Sequence, residues 1–503
     1  MSNNATRAAG PGGIGGVGGD AYPLAYTGAE IDAAISGWQT AQSQTDATAS
    51  DIAIGKKAIT AAGLVTGTME AGGGSYDPAD PMSVYKATRP ADWLPMPEPA
   101  EGEAYMLYLV PPTDQALFAV QVTFTGSATI QLGDAAPIAL TSGTAFETTF
   151  DWDACSNLAS DGFKQVMIKI SGNGITGLSF SEHSLKPNYT DYFVVECRMS
   201  LPGIESFGIG DITIKYFSLD ICNISNMNNM FAGCNLLTAV LSLDTSQATS
   251  TSGMFSGCYL LVAIPTLDTS KATDMSNMFY NCSSLTTIPT LDTSKTTRMN
   301  GMFYGCNSLT TIPALNTSQV TDMNTMFYGC NSLTSIPALD TSKTTNMGSM
   351  FHNCRSLVAV PLLDTSQATS ASSMFYGCVL LTFIPAINTS QVTSMTSMFS
   401  GCYSLVAVSA LDTSRATNVG SIFSNCKLLS KVLYGPSETI SKTQTLSLSN
   451  CSLSRQAIIE FFKTLPTAVS GTPKLTLSKN PGVSALTSAD KAIATGKGWT
   501  LTL

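Results

Sequence analysis

Cysteine is the residue type in this chain that could support the most kinds of chemistry. Nine of the thirteen cysteines recur every 24 residues, from Cys234 to Cys426. Cysteines in such a series could form disulfides or bind zinc. Zinc needs clustered ligands, whereas the chain has two histidines, His183 and His352, and no C-x-x-C motif. Pairing neighbouring repeats would leave one cysteine over. The series therefore predicts buried free thiols that act as small hydrophobic side chains, which suits assembly in a reducing bacterial cytoplasm.

Carboxylates form a second series, because each repeat opens with Asp or Asn. Its members are Asp244, Asp268, Asp292, Asn316, Asp340, Asp364, Asn388 and Asp412. Stacked carboxylates could bind calcium, but the repeat lacks the glycines of calcium-binding β-rolls and Asn replaces Asp at two positions. We therefore expect turn caps that accept a nearby backbone N–H. No phosphate loop, G-x-S-x-G motif or metal-binding histidine pair occurs, and Asp151-Trp-Asp153 is typical of a turn, so we expect no enzyme, cofactor or metal site.

Aromatic residues form the third series, at the position between the repeated phenylalanine and cysteine. Its members are Tyr280, Tyr304, Tyr328, His352 and Tyr376. The spacing turns this position outward, and tyrosine offers a flat face and a hydroxyl for sugar or protein contacts. Tyr403 belongs to a variable row that directly follows each cysteine. These six residues are the candidate receptor-binding or glycan-binding residues, although the tyrosines could simply pack over the turn and sequence drift could also explain the variation.

These series belong to a 24-residue repeat that occupies 219–434 in nine copies, one of which reads LDTSKTTRMNGMFYGCNSLTTIPA. Its apolar positions predict one face of a helical turn or two, followed by a short extended segment that a proline ends. One copy cannot enclose a core, so the copies must stack. The pattern predicts an α/β solenoid, a rod on the order of 40 Å long with its turns ~4.8 Å apart.

The repeat closely resembles the BspA-type leucine-rich repeats of bacterial surface proteins and phages, as in LDTSKATDMSNMFYNCSSLTTIPT, residues 267–290. The resemblance implies a solenoid used for adhesion or display rather than catalysis. The segment YPLAYTGAEIDAAI, residues 22–35, resembles the opening of phage tail-fibre or head-fibre proteins, and 54–69 resembles a small β-element of phage structural proteins. These likenesses imply that Tyr26, Ile31 and Ile35 anchor the chain to other virion proteins.

The remaining chain divides by composition. A glycine-rich arm at 1–20 precedes an anchoring and oligomerisation segment at 21–75 and a proline-rich, extended linker at 76–101. Five strand-like runs predict a small all-β sandwich at 102–188, which resembles the PKD-like sandwiches that precede such repeats and serves as a spacer or, alternatively, binds sugar. Residues 189–218 are expected to cap the first repeat and 435–503 the last. In the last segment, Ser454 and the capping-box pair Thr487 and Asp490 are each expected to open a helix.

Charge and hydropathy limit the classes of partner that this chain is expected to have. The net charge is −10 and no basic stripe occurs, which argues against nucleic acid. No run of 18 apolar residues predicts a membrane span, and no secretion signal is found at the start of the sequence. We therefore expect a virion fibre, trimeric by resemblance, that is assembled in the bacterial host cytoplasm and contacts a host surface protein or polysaccharide. The alternatives are a secreted or cell-surface adhesin and a decorative capsid fibre without a receptor.

Overall fold

The structure is a computed structural model, and it describes residues 58–60, 63–65, 77–110, 116–160, 162–180, 194–208, 214–409, 411–432, 439–440 and 445–503. The predicted arm at 1–20 and the proposed anchor residues Tyr26, Ile31 and Ile35 lie outside these residues. From the segment likened to a phage β-element, the structure describes two strands that pair as an antiparallel hairpin.

The described elements are mostly short strands. In chain order, the strands are β1 (Ala58–Thr60), β2 (Gly63–Val65), β3 (Glu103–Val110), β4 (Ala116–Phe124), β5 (Ala128–Leu132), β6 (Ile138–Ala139), β7 (Ala145–Phe150), β8 (Asn157–Leu158), β9 (Lys164–Gly172), β10 (Ile175–Phe180), β11 (Val194–Ser200), β12 (Ser206–Gly208), β13 (Tyr216–Leu219), β14 (Ala239–Leu243), β15 (Thr439–Ile440), β16 (Thr445–Ser447), β17 (Thr467–Ala468), β18 (Lys474–Thr476) and β19 (Thr500–Thr502). The helices are α1 (Pro81–Thr88), α2 (Arg455–Thr464) and α3 (Ser488–Thr495), with a 3-10 turn at Val483–Ala485.

The repeats form a β-solenoid of about eleven turns. One residue per turn pairs in parallel with its equivalent 24 residues on, from Asn226 with Ser250 to Ser394 with Asn418. Further backbone bonds join the turns, as when the Phe303 N–H donates to the Met326 carbonyl at 2.9 Å. Inside, the repeated phenylalanines stack face to face with ring centroids 5.3–5.7 Å apart. The prediction of stacked turns around an apolar interior is confirmed.

The predicted helical turns are not present in the described part of 219–432. Instead, consecutive four-residue β-turns follow one another: the Met302 N–H bonds to the Met299 carbonyl, and the Cys306 N–H bonds to the Phe303 carbonyl. Gly301 and Gly305 have φ of +63° and +71°, left-handed values that interrupt a right-handed helix. A chain of β-turns repeats its apolar residues every three positions, much as a helix does. The α/β description therefore does not apply to the repeats.

Two sheets precede the solenoid, and all five strand-like runs predicted between residues 105 and 180 are strands. One sheet has the order β12-β10-β4-β7, and the other runs β14-β13-β11-β3-β9-β5-β6. Met106, Phe118 and Ile170 lie with the solenoid residues in one continuous core. Because β3 pairs with β11, and β11 pairs in parallel with β13, the larger sheet continues directly into the solenoid. The separate sandwich predicted at 102–188 is thus not confirmed as an independent unit.

The predicted linker at 76–101 is packed against this sheet rather than extended over its described residues, 77–101. Asp80 caps α1 by accepting from the N–H groups of Met82 and Ser83. Trp93 is buried. The carboxylate of Glu196, fully buried on β11, accepts from Arg89 Nε at 2.7 Å and from the Tyr85 hydroxyl at 2.9 Å. A buried carboxylate needs such partners, so these bonds fix the segment to the sheet.

The C-terminal cap has the elements that its sequence predicts. Ser454 caps α2, and Thr487 with Asp490 forms the capping box of α3. Strands β16, β18 and β19 form a parallel sheet that continues the solenoid, while Phe462 on α2 is fully buried in the core. Within the described repeats and cap, α-helices occur only in this last segment, where they cover the final apolar turn.

Candidate functional site

The cysteine series is a buried structural column. Each thiol from Cys258 to Cys426 donates to the carbonyl of the phenylalanine 27 residues earlier, with sulfur–oxygen distances of 2.9–3.1 Å. Burial raises the pKa of all eight of these thiols, which keeps them protonated as hydrogen-bond donors. All thirteen cysteines are free, and only Cys155 is partly exposed.

The Asp/Asn series caps turns. In each of its eight members, the side-chain Oδ1 accepts from the N–H of the residue two positions on, at 2.8–3.2 Å. We call Asp268, Asp292 and Asp340 the capping aspartates. In each of them, the hydroxyl and the N–H of the serine two residues on lower the pKa of the carboxyl. Among the described residues, no group of three His, Cys, Asp or Glu side chains is arranged to hold a metal ion.

The five aromatic side chains between phenylalanine and cysteine form one continuous column, which we call the aromatic stack. Ring centroids of successive members lie 4.4, 4.5, 4.2 and 4.6 Å apart from Tyr280 to Tyr376, and their planes differ by at most 13°. The turn spacing sets these distances, because each ring stands one turn above its predecessor. Burial between two tyrosines lowers the pKa of His352, so the imidazole is more readily neutral than a free one.

Stacking changes what these residues offer to a ligand. The rings of Tyr304, Tyr328 and His352 are covered on both faces by their neighbours, so a ligand could meet only their edges, and Nδ1 of His352 is itself buried. Tyr376 ends the stack and is 38% exposed. Tyr403 is not a member: it lies in the row after the cysteines, 43% exposed, with Lys427 Nζ 4.6 Å from its ring centroid. The structure therefore joins five of the six candidates in one column, whereas the sixth, Tyr403, lies in a different row of the following repeat.

A second candidate surface consists of exposed apolar side chains in the last repeats, and we call it the C-terminal patch. It contains Val358, Leu380, Phe383, Val406 and Leu428, which are 44–62% exposed. The backbone bonds Thr382 N–H to the Val358 carbonyl and Val406 N–H to the Thr382 carbonyl place these residues on adjacent turns of one face. In the three repeats that contain Cys282, Cys306 and Cys330, the equivalents of Val358, Phe383 and Val406 are hydroxyl side chains such as Thr310 and Thr311. The equivalents of Leu380 and Leu428 are serines in those repeats. The replacement of hydroxyl by apolar side chains was the available sequence signal.

The same face is free of acidic residues. The five positions that follow the repeat cysteines include no Asp or Glu in any copy, whereas Arg355, Lys427 and Lys431 are there, all exposed. This contrasts with the chain's net charge of −10. The face can therefore attract an anionic partner locally, while its apolar side chains supply contact area.

The repeat region matches a known family model. Four overlapping matches to the family described as "Mycoplasma protein of unknown function, DUF285" cover 208–310, 262–362, 286–382 and 359–447. The repeat region is therefore similar to this family, and its solenoid resembles the BspA-like leucine-rich repeats. No curated protein matches the chain in a sequence comparison.

Two solved structures are distantly similar to this chain. A leucine-rich repeat protein from Eubacterium ventriosum is 16% identical with a TM-score of 0.27, over 66% of this chain and 90% of that one. The plant peptide hormone receptor RGFR1 in complex with RGF2 is 12% identical with a TM-score of 0.19, and the match spans 59% of each chain. None of the described helices is long and apolar enough to cross a bilayer.

Proposed function

We propose that this chain is a non-enzymatic recognition protein, in which a rigid solenoid presents the C-terminal patch to a partner on a bacterial surface. The observation that supports this proposal is the exposure of Phe383, at 62%, among four other apolar side chains on a face that is otherwise rich in hydroxyls. Contiguous exposed apolar surface of this kind typically marks an interaction site. The fully buried phenylalanine, methionine and cysteine columns hold the face rigid.

We further propose that the chain is carried on a virion as a fibre or related appendage and contacts a host surface protein or polysaccharide. Support comes from the likeness of residues 22–35 to fibre openings, and from thiol columns that suit assembly in a reducing cytoplasm. The N-terminus would then contact other virion proteins, in a homotrimer by the same likeness. The alternative is a cell-surface adhesin with the same binding face. A decorative fibre would lack a receptor.

Binding of the full chain to a panel of bacterial cells and surface polysaccharides tests the recognition role. The double variant Phe383→Thr and Val406→Thr places the residue of other repeats in the patch, and we expect at least a tenfold loss of binding. The matched control, Thr310→Ser with Thr311→Ser, changes the same two rows elsewhere and should bind as the unchanged chain does. Equal binding by both variants, or no binding by the unchanged chain, would refute the proposal. Detection of the chain in purified virions separates a virion protein from an adhesin.

A further inference from the structure

A cleft lies along the Asp/Asn series, where Asp340, Asp364 and Asn388 open three successive turns. Leu362 and Ala386 also line this cleft, and we call it the repeat cleft. Its volume is about 450 Å³, within the range of roughly 300–1,000 Å³ that small-molecule clefts have in proteins. All five of these residues are exposed, so a ligand can reach them from solvent.

Leu362 distinguishes the repeat cleft from the equivalent places on other turns. From Ser242 to Ala410, every other residue of this row is Ser, Thr or Ala, as at Thr290 and Ala386. Leu362 is 71% exposed, the highest value for a large apolar side chain among the described residues. A large side chain that stands one turn from the small Ala386 forms an apolar wall beside a hollow.

The polar side chains of the cleft have unused hydrogen-bonding capacity. Asp340 Oδ1 accepts from the N–H and the hydroxyl of Ser342, at 3.0 and 2.6 Å, while its Oδ2 accepts no hydrogen bond from the described residues. Asp364 Oδ1 accepts from the N–H two residues on, at 2.9 Å. Asn388 Oδ1 does the same at 3.0 Å, so its Nδ2 is a donor without a partner among the described residues. The cleft therefore offers both acceptors and a donor to a ligand.

Two buried threonines hold the cleft in shape. The Thr341 hydroxyl donates to the Asp364 carbonyl at 2.9 Å, and the Thr365 hydroxyl donates to the Asn388 carbonyl at 2.8 Å. These bonds join the three turns in the absence of a ligand. Binding would therefore not have to order the walls of the cleft, which lowers the conformational cost of association.

The balance of charge in the cleft is negative. The row three residues after each Asp or Asn has Lys343 in the first of these turns, but Gln367 and Gln391 in the next two. Lys343 Nζ donates to an amide oxygen on the preceding turn, Gln319 Oε1, at 2.7 Å. One cation thus accompanies two carboxylates, and a ligand that bears a carboxylate would be repelled.

We propose that the repeat cleft binds a neutral pyranose, as one unit of an uncharged surface polysaccharide. This inference rests on the proposed recognition function and names a ligand class for it. The apolar C–H face of the sugar packs on Leu362, its hydroxyls donate to Asp340 and Asp364, and Asn388 Nδ2 donates to a sugar oxygen. Ionised carboxylates only accept hydrogen bonds, which suits sugar hydroxyls, and their charge excludes acidic sugars.

The chain contains a matched control for this cleft. Asp268, Asp292 and Asn316 repeat the order Asp-Asp-Asn three turns earlier. There, Thr290 replaces the apolar wall, and Lys295 follows the second carboxylate in the row that is glutamine in the cleft. Asparagine caps the turn as aspartate does, so an Asp→Asn change removes a charge and keeps the cap at either place. Equivalent substitutions therefore separate ligand contact from effects on the turns.

Titration of the full chain with methyl glycosides of glucose, galactose, mannose and N-acetylglucosamine, followed by ligand-observed NMR, tests the inference. Methyl glucuronide is the acidic comparison, and we expect at least one neutral glycoside to bind more tightly than it does. Asp364→Asn should weaken that binding about fivefold or more, because a hydrogen bond to a charged acceptor is stronger than one to a neutral acceptor. Leu362→Ala should weaken it about threefold or more through lost apolar contact. The matched changes Asp292→Asn and Thr290→Ala should leave it unchanged.

The possible outcomes separate this inference from the proposed function. If no neutral glycoside binds, or if methyl glucuronide binds as tightly as the best of them, the repeat cleft is not a site for neutral sugars. Equal effects of Asp364→Asn and Asp292→Asn would also overturn the inference. Cell binding that persists under these results and depends on the C-terminal patch leaves the recognition proposal intact. Failure of the chain to bind any cell or polysaccharide would instead overturn the recognition function itself.

Discussion

Phe327→Ala is the sharpest test of the buried columns. The Phe327 ring is fully buried at the centre of the solenoid and stacks on Phe303 and Phe351, with both centroids 5.6 Å away. Its backbone N–H donates to the Met350 carbonyl, a bond that the substitution does not remove. The change therefore deletes packing while it leaves the ladder between turns chemically complete.

The expected loss follows from two terms. Removing a buried phenylalanine ring typically costs about 3–5 kcal/mol through lost burial and the remaining cavity. Two ring pairs are lost at once, each worth about 0.5–1.5 kcal/mol beyond area, so the upper half of the range applies. Phe423, at the end of the column, has one stacked partner at 5.4 Å. Phe423→Ala should therefore cost about 1 kcal/mol less than Phe327→Ala.

Urea unfolding of the full chain, with hydrogen exchange measured by mass spectrometry, checks this expectation. The free energy of unfolding should fall by about 4 kcal/mol in Phe327→Ala. Exchange should accelerate first in the turns that contain Phe303, Phe327 and Phe351, because each turn contacts only its neighbours. Phe327→Leu, which keeps most of the volume, serves as the control with a smaller loss. A loss below about 1.5 kcal/mol, or a greater loss for Phe423→Ala, would refute the column argument.

Three further predictions test the turns, the caps and the thiols. Gly301→Ala should destabilise the protein by at least about 1–2 kcal/mol, because φ is +63° and the new Cβ would collide with Asn277 Oδ1; adding Asn277→Ser should recover part of the loss in thermal unfolding. Because the pKa of the capping aspartates is lower in the folded chain, their contribution to stability is complete above the unfolded pKa of about 3.9 and is lost as the pH falls through the folded values. Replacing all three by Asn, the residue that Asn316 provides naturally, should flatten the acid limb of a stability-versus-pH curve, and an unchanged limb would contradict the cap assignment. A thiol reagent should label one cysteine quickly in the native chain, and Cys155→Ser should remove that phase; rapid labelling of several others would show that the thiol column is open.

Sequence reasoning predicted most of the architecture because the repeat constrains it so strongly. Identical positions 24 residues apart must lie above one another, so the buried columns, the thiol column and the Asp/Asn caps all follow from spacing. The helices of the C-terminal cap could also be predicted, because Ser454 and the pair Thr487 and Asp490 are helix-start signals that act locally.

Two features could not be predicted from the sequence. One depends on a spacing of apolar residues that two kinds of structure share, and the other depends on contacts between distant parts of the chain. Apolar spacing of three fits both a helix and a series of β-turns, and the positive φ at Gly301 and its equivalents in other repeats decides between them. The proline-rich segment around Trp93 looks like a linker until the buried Glu196, over one hundred residues away, supplies partners for Arg89 and Tyr85. Contacts of this kind have no local signal.

In a repeating column, stacking covers the ring faces of the members, and this determines where such a solenoid can recognise a ligand. Tyr304 and Tyr328 stack on each other and so present edges instead of faces. Contact surface becomes available where a repeated row changes residue, as where the exposed Phe383 replaces the threonine of other repeats. Departures from the repeat, more than its consensus, are therefore the positions at which this chain can distinguish one partner from another.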